Sequence, residues 1–143
     1  PMAVSLGGSS ILFHRLPSPG RPWSLLLEAP LQPNLFVKEL LLPALSATTS
    51  GGTYKHAPLR EGIGGHVFHP LSGTPVDASL QYTVLSTSPL LGEFLSATPL
   101  LLPPEEISLF LEAFPGVEAF RVTSEGVERL TRPWYTQEGS DHE

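Results

Sequence analysis

Hydrophobic and polar residues alternate most regularly in SLQYTVLST, residues 79–87. In an extended chain, Leu80, Tyr82 and Val84 fall on one side and polar residues fall on the other. This period of two residues predicts a strand, and it is the clearest strand signal in the first hundred residues.

Two shorter apolar runs precede this strand, SILFHRL (residues 10–16) and WSLLLEA (residues 23–29). The sequence PSPGRP between them contains prolines and a glycine, which are typical of turns. We therefore predict two strands that pair as a hairpin. GGSS, at residues 7–10, precedes a strand rather than a helix, so it does not predict a phosphate-binding loop.

Residues 34–47 predict a helix. Asn34 is a favourable N-cap, and Pro43 would kink or end the helix. The leucines of this segment recur near helical spacing: Leu35, Leu41, Leu42 and Leu45.

A second helix is predicted over residues 104–114, where prolines open the first turn and Glu105 and Glu106 face the positive end of the helix dipole. Its apolar stripe consists of Ile107, Phe110, Leu111 and Phe114. After it, VEAFRV, the turn TSEG and VERLT predict a β-hairpin over residues 117–131.

These elements predict an α+β fold: a single compact domain with a mostly antiparallel sheet, about two helices and a C-terminal hairpin. A chain of 143 residues with 41% hydrophobic content is long enough to bury one core. We assign residues 1–135 to the domain and residues 136–143 to a flexible polar tail.

Charge and composition exclude several classes. The net charge of −6 comes from the residues after 103, and no basic stripe is available to neutralise phosphates, so a nucleic-acid partner is not expected. No apolar run reaches the roughly 20 residues that cross a bilayer. With no cysteine in the chain, we expect a soluble intracellular protein, cytoplasmic or nuclear.

Histidines are concentrated in KHAPLREGIGGHVFHP, residues 55–70, within and after a predicted loop at 48–65. His66 and His69 are three residues apart, but Gly65 and Pro70 bracket them and favour a strand or turn. In a strand, the two histidines point to opposite faces. We therefore predict neither a metal site nor a cofactor, and we assign His66 and His69 to a binding surface. Whether His56 converges with them stays open.

Two enzymatic alternatives remain. FHR (residues 13–15), LSTS (85–88) and the later pair of glutamates resemble the Arg, Ser-Thr-Ser and Glu order of arginine-type ADP-ribosyltransferases. In that family the glutamates are two residues apart on or before a strand, whereas here they are adjacent. The resemblance implies Arg15, Ser86 and Glu106 as catalytic candidates. A histidine-dependent hydrolase is the other alternative, but no G-x-S-x-G elbow is present.

The main interpretation is a non-enzymatic protein-interaction module, an accessory or assembly subunit. Only 15% of residues are charged, and such a surface favours exposed apolar patches. LSTSPLL (85–91) is nearly repeated as LSATPLL (95–101). The intervening GEF predicts a turn between two adjacent strand-like segments with matching prolines at their bends, and we predict that these segments form an exposed apolar edge. The predicted contacts to a protein partner or a second copy are Leu90, Leu91, Leu100 and Leu101.

Overall fold

Within the described residues, eight strands form two antiparallel sheets. The computed structural model describes residues 1–51 and 66–136. The strands are β1 Met2–Leu6, β2 Ser10–His14, β3 Trp23–Glu28, β4 Phe36–Leu42, β5 Ser46–Gly51, β6 Gln81–Ser86, β7 Glu118–Thr123 and β8 Gly126–Arg129. The larger sheet has the order β1-β2-β5-β6-β7-β8, and β3 pairs with β4 in the second sheet.

The six-stranded sheet is covered on both faces. Helices α1 (Pro89–Ala97) and α2 (Pro104–Glu112), joined by a 3-10 turn at Thr98–Leu101, lie on one face. The β3–β4 hairpin lies on the other. This α+β arrangement of antiparallel sheets with two helices confirms the predicted fold class. No helix in the described ranges is long and apolar enough to span a bilayer.

Strand β6 contributes side chains to both layers. Tyr82 and Val84 pack into the apolar cluster under the helices, whereas Leu85 packs into the cluster under the hairpin. The alternation read from the sequence is therefore confirmed, with Thr83 also fully buried on the second face. A central strand with both faces covered carries few charges, which is one reason for the charge-poor composition.

The helix predicted over residues 34–47 is wrong, because this segment forms β4, a short turn and the first two residues of β5. Asn34 is not a helix cap: it adopts a left-handed conformation (φ 67°) in the turn that leads into β4. Along β4, Leu40 and Leu42 are buried and Leu41 is half exposed, which is a period of two. Pairing with β3 stabilises this extended form, and leucines on both faces hide the alternation in the sequence.

Residues 85–101 do not form an exposed edge, so that prediction is also wrong. Strand β6 lies inside the sheet between β5 and β7, and the second segment is helical. Ser88 caps α1 by accepting a hydrogen bond from the backbone N–H of Leu91 (3.3 Å), and Pro89 occupies the first turn. A Ser-Pro pair is a favourable helix start, whereas we had interpreted the proline as a bend between strands.

The C-terminal predictions are confirmed, and one hairpin prediction is not. Helix α2 and the β7–β8 hairpin lie where expected, although within the predicted stripe Ile107 and Leu111 are buried and the two phenylalanines only partly so. Residues 10–16 and 23–29 contain β2 and β3, but these strands belong to different sheets. The segment between β2 and β3 carries the chain from the six-stranded sheet to the second sheet.

A buried carboxylate holds the segment after β8. Glu118 on β7 is fully buried, and its Oε2 accepts hydrogen bonds from the backbone N–H groups of residues 134–136 at 2.9–3.2 Å. The Thr136 hydroxyl donates to Oε1, and Arg129 Nε lies 3.2 Å from the same oxygen. Thr136, which the sequence assigns to the tail, is thus anchored. Residues 137–143 and most of the predicted 48–65 loop lie outside the described residues.

Burial raises the pKa of Tyr82 above its ordinary value of 10.0, and Glu128 adds to this effect while Arg121 opposes it. The folded state then holds the phenolic proton more tightly than the unfolded state. The stability that Tyr82 contributes is therefore fully present below about pH 10, and it is lost as pH rises through the pKa of this tyrosine in the folded state. We expect Tyr82→Phe to reduce the loss of stability at alkaline pH, which urea unfolding between about pH 8 and 11 measures.

Tyr135→Phe is a second test of the same linkage. Burial also raises the Tyr135 pKa, and this tyrosine donates to the carbonyl of Gly116 (2.6 Å), so its replacement should likewise reduce the loss of stability at alkaline pH. An alkaline profile that Tyr82→Phe leaves unchanged would contradict the assignment.

Candidate functional site

A cavity of about 430 Å³ opens where β5 ends and β6 begins. The β1–β2 turn, the β3–β4 hairpin and helix α1 surround it, so segments distant in sequence meet there. One part of the lining, the apolar wall, is made of hydrophobic side chains, and the rest, the polar wall, is rich in hydroxyl, carboxylate and backbone groups.

The apolar wall comes mainly from the β3–β4 hairpin and from the sheet face beneath it. Its side chains include Ile11, Leu25, Leu27, Phe36 and Ala47. Ile11 lies opposite Ala47 across the β2–β5 pair, so both point to the same face of the sheet.

The polar wall comes from the ends of β5 and β6, the β1–β2 turn and α1. Its members are Gly7, Gly8, Ser9, Thr49, Ser50, Gln81 and Glu93, with Glu28 and His66 at other points of the lining. The lining among the described residues includes two carboxylates and no lysine or arginine. The described part of the lining is therefore acidic rather than basic.

Backbone and side-chain bonds fix this wall. The Thr49 N–H donates to the carbonyl of Ser9 (2.7 Å), which ties the β1–β2 turn to β5. Gly7 and Gly8 both have positive φ, 62° and 76°, which only glycine adopts easily. The Ser10 hydroxyl donates to the Glu93 carboxylate and so links β2 to α1.

Helix α1, which contributes Glu93 and Ala97 to the lining, lies close against β5. A Cβ at Gly92 would stand 2.7 Å from Thr48 Oγ1, closer than side chains tolerate. One helical turn further on, Ser96 and Ser50 share a hydrogen bond (2.8 Å). Thr48 Oγ1 is buried with no hydrogen-bond partner among the described residues, a cost of the close helix packing.

Of the residues singled out from the sequence, His66 and Leu100 line the cavity. Leu90 is 81% exposed on α1, Leu91 packs partly against the helical core, and Leu101 is partly buried. His69 lies in a turn, where its Nδ1 accepts hydrogen bonds from the N–H groups of Leu71 and Ser72 (3.3 and 3.4 Å). His56 lies outside the described residues.

Arg15, Ser86 and Glu106 are not in the cavity lining. Arg15 follows β2 with φ 58°, and its carbonyl accepts the Trp23 indole N–H (2.8 Å). Ser86 is buried, and its hydroxyl accepts the N–H of Ser88 (3.0 Å), while Glu106 lies in the first turn of α2. Each has a structural role of its own.

Sequence reasoning missed Glu93 and the hydroxyls of β5. Glu93 falls in GEF, which we had interpreted as a turn between two strands, whereas it lies in the middle of α1. The described residues contain no group of three or more His, Asp or Glu that could hold a metal ion.

The comparison with family models decides the identity. The model of the ApbE family matches residues 1–121. The chain belongs to the ApbE family. A search of curated proteins found no match.

Two solved ApbE structures share this fold, both described as flavin transferase ApbE from Vibrio cholerae. One aligns with a TM-score of 0.64 at 21% identity, covering 95% of this chain and 42% of that one. The other, a histidine-to-glycine mutant, gives 0.60 at 18% identity, covering 89% and 37%. This ApbE-family chain thus spans less than half the length of the solved relatives.

Membership of the ApbE family corrects the functional interpretation. The prediction of a non-enzymatic adaptor, protein-binding module or complex subunit is wrong, and neither the ADP-ribosyltransferase nor the hydrolase alternative matches. Part of the apolar content of the chain fills the two cores, where Leu85, Leu95 and Leu111 have no exposed surface.

Proposed function

We propose that the cavity binds a flavin and that this chain forms part of a flavin transferase. The observation that supports this most directly is the position of the cavity. Its lining runs from Gly7 to Leu100 and so falls entirely within the residues that the ApbE family model matches. The cavity is therefore built by the family part of the chain.

The shape and chemistry of the cavity suit a flavin ring system. An isoalloxazine is planar, with apolar faces and polar edges. The wall formed by Leu25, Leu27 and Phe36 offers apolar contact to one face. Gln81, Thr49 and Ser50 also line the cavity, and their polar groups offer hydrogen bonds to ring edges or ribityl hydroxyls. A volume of about 430 Å³ is within the range of small-molecule sites.

Glu93 is the residue best suited to proton transfer in this cavity. Transfer of a flavin to an acceptor requires a group that takes a proton from the attacking atom. Glu93 lines the cavity and is positioned by the hydroxyl of Ser10. The other carboxylate, Glu28, is directed to its own turn, where Oε1 accepts the N–H of Asn34 (2.7 Å).

Filling the cavity should weaken flavin binding. Ala97 ends α1 and lines the cavity, so we expect Ala97→Phe to weaken the affinity for FAD and FMN at least about tenfold, a loss of about 1.4 kcal/mol. Flavin fluorescence quenching on titration with the protein measures this affinity. The matched control is Ala113→Phe, at the exposed C-cap of α2, which should bind as the original chain does.

The same titration distinguishes binding from transfer. Glu93→Gln should retain flavin affinity and lose covalent flavin transfer to an acceptor protein, followed by in-gel flavin fluorescence. If the unaltered chain shows no saturable binding of FAD, FMN or riboflavin, the proposal is refuted. Equal loss of affinity in Ala97→Phe and Ala113→Phe would place the flavin elsewhere.

A further inference from the structure

The side-chain amide of Gln81 connects the two layers that enclose the cavity. Gln81 is the first residue of β6 and lines the cavity, and its Nε2 donates to the backbone carbonyl of Glu28 at the end of β3 (3.2 Å). This hydrogen bond runs from the six-stranded sheet to the β3–β4 hairpin. It fixes the orientation of the amide, because the amide nitrogen only donates and the amide oxygen only accepts.

The oxygen Oε1 of Gln81 is the acceptor that this arrangement leaves available. Within residues 1–51 and 66–136, no group donates a hydrogen bond to it. Gly51 lies directly opposite Gln81 on β5, and a Cβ there would stand 3.5 Å from Cβ and Cγ of Gln81. Because glycine has no side chain, the cross-strand neighbour does not cover this flank of Gln81.

Other polar groups of the lining are already bonded within the protein. Thr49 shares a hydrogen bond with Thr83 (2.9 Å). Ser50 shares one with Ser96 (2.8 Å). Both carboxylates of the described lining also accept hydrogen bonds, one from a hydroxyl and one from a backbone N–H. Gln81 differs, because its anchoring bond uses the donor end of the amide. The ligand group that Gln81 selects is therefore an N–H or O–H donor.

The anchored amide lies beside the apolar wall. Glu28, which holds the amide, follows Leu27 on β3 and lies opposite Phe36 on β4, and Leu27 and Phe36 both line the cavity. A planar ring packed on these two side chains can extend one edge to the amide. The isoalloxazine ring has an edge of the required chemistry, an imide in which N3–H lies between two carbonyl groups.

We propose that Gln81 recognises this imide edge: Oε1 accepts a hydrogen bond from flavin N3–H while Nε2 stays bonded to Glu28. This inference rests on the proposed function and adds to it the substrate class, flavins with an unsubstituted imide. A flavin methylated at N3 has no donor there, so its binding leaves Oε1 without a partner. A site that hydrogen-bonds a ligand group discriminates strongly against the analogue that lacks it.

The test compares FMN with 3-methyl-FMN by flavin fluorescence quenching on titration with the purified 143-residue chain. We expect FMN to bind at least about tenfold more tightly, because only FMN donates to Oε1. Gln81→Ala removes the acceptor and makes room for the methyl group, so the ratio of the two dissociation constants should fall to about one. The matched control is Gln32→Ala, in the exposed turn after β3 and outside the lining, which should keep the tenfold ratio.

A third probe separates the flavin from other imides. UMP carries the same imide edge and a phosphate but lacks the fused rings that would contact Leu27 and Phe36. It should therefore not displace FMN at equal concentration. Displacement of FMN by an equal concentration of UMP would show that the site takes a pyrimidine nucleotide, and it would overturn the inference.

The comparison of the two flavins in the original chain needs no substitution, so it remains decisive if a variant folds poorly, which circular dichroism reports. Equal affinity of the original chain for FMN and 3-methyl-FMN would overturn this inference and leave the flavin proposal intact. A preference for FMN that persists in Gln81→Ala, or that is lost equally in Gln32→Ala, would also overturn it. Absence of saturable binding of FMN and FAD alike would refute the proposed function and this inference together.

Discussion

Replacing Glu118 with alanine should lower the free energy of unfolding by about 3–5 kcal/mol. The carboxylate is fully buried and serves three backbone N–H groups, the Thr136 hydroxyl and Arg129. Its removal leaves these donors without an acceptor and leaves the guanidinium, largely shielded from solvent, without its counter-charge. Urea unfolding followed by tryptophan fluorescence measures the loss and also reports on Trp134 in the anchored segment.

The control for Glu118 is Glu125→Ala, in the exposed β7–β8 turn, which should change stability by less than about 0.5 kcal/mol. Glu118→Gln keeps the shape and one acceptor, so it should fall between the two. If Glu118→Ala costs less than about 1 kcal/mol, the C-terminal segment is not held by this carboxylate.

Truncation of Leu111 to alanine should cost about 2–5 kcal/mol. Leu111 on α2 has no exposed surface and packs with Leu95 and Val84 between the helices and the sheet. The change removes apolar contact and leaves a cavity that a rigid sheet cannot close. Chemical denaturation with circular dichroism at 222 nm, the usual helix signal, measures it.

The matched control for Leu111 lies on the same helix. Leu109 is 74% exposed, so Leu109→Ala alters the same residue type in α2 without opening a core cavity. It should change stability by less than about 0.5 kcal/mol. Similar losses in the two variants would show that α2 packs through a different face.

The elements that could be predicted are those whose local signals agree. In α2, prolines at the start, acidic residues in the first turn and an apolar stripe all favour a helix, and β6 alternates cleanly. The segment 34–47 lacks this agreement. Its leucines fit a helical period and a strand period equally well. Only pairing with β3, a strand outside this segment, selects the extended form.

The candidate site could not be predicted for a similar reason. The cavity joins the β1–β2 turn, the end of β5 and the middle of α1, which no local pattern brings together. Glu93 is a single glutamate on a short helix, and the acidic residues that the sequence made conspicuous, Glu105 and Glu106, serve the dipole of α2. The histidine-rich sequence around His66 singled this residue out, but it predicted a binding surface rather than part of a cavity.

The sharing of β6 between both apolar clusters has a consequence for how the chain unfolds. Tyr82 and Val84 belong to the helical side and Leu85 to the hairpin side, so the two layers have this strand in common. Loss of either layer exposes one face of β6 to water and weakens the packing of this strand against the remaining layer. The helices and the hairpin therefore form a single cooperative unit, and partial opening is confined to the periphery.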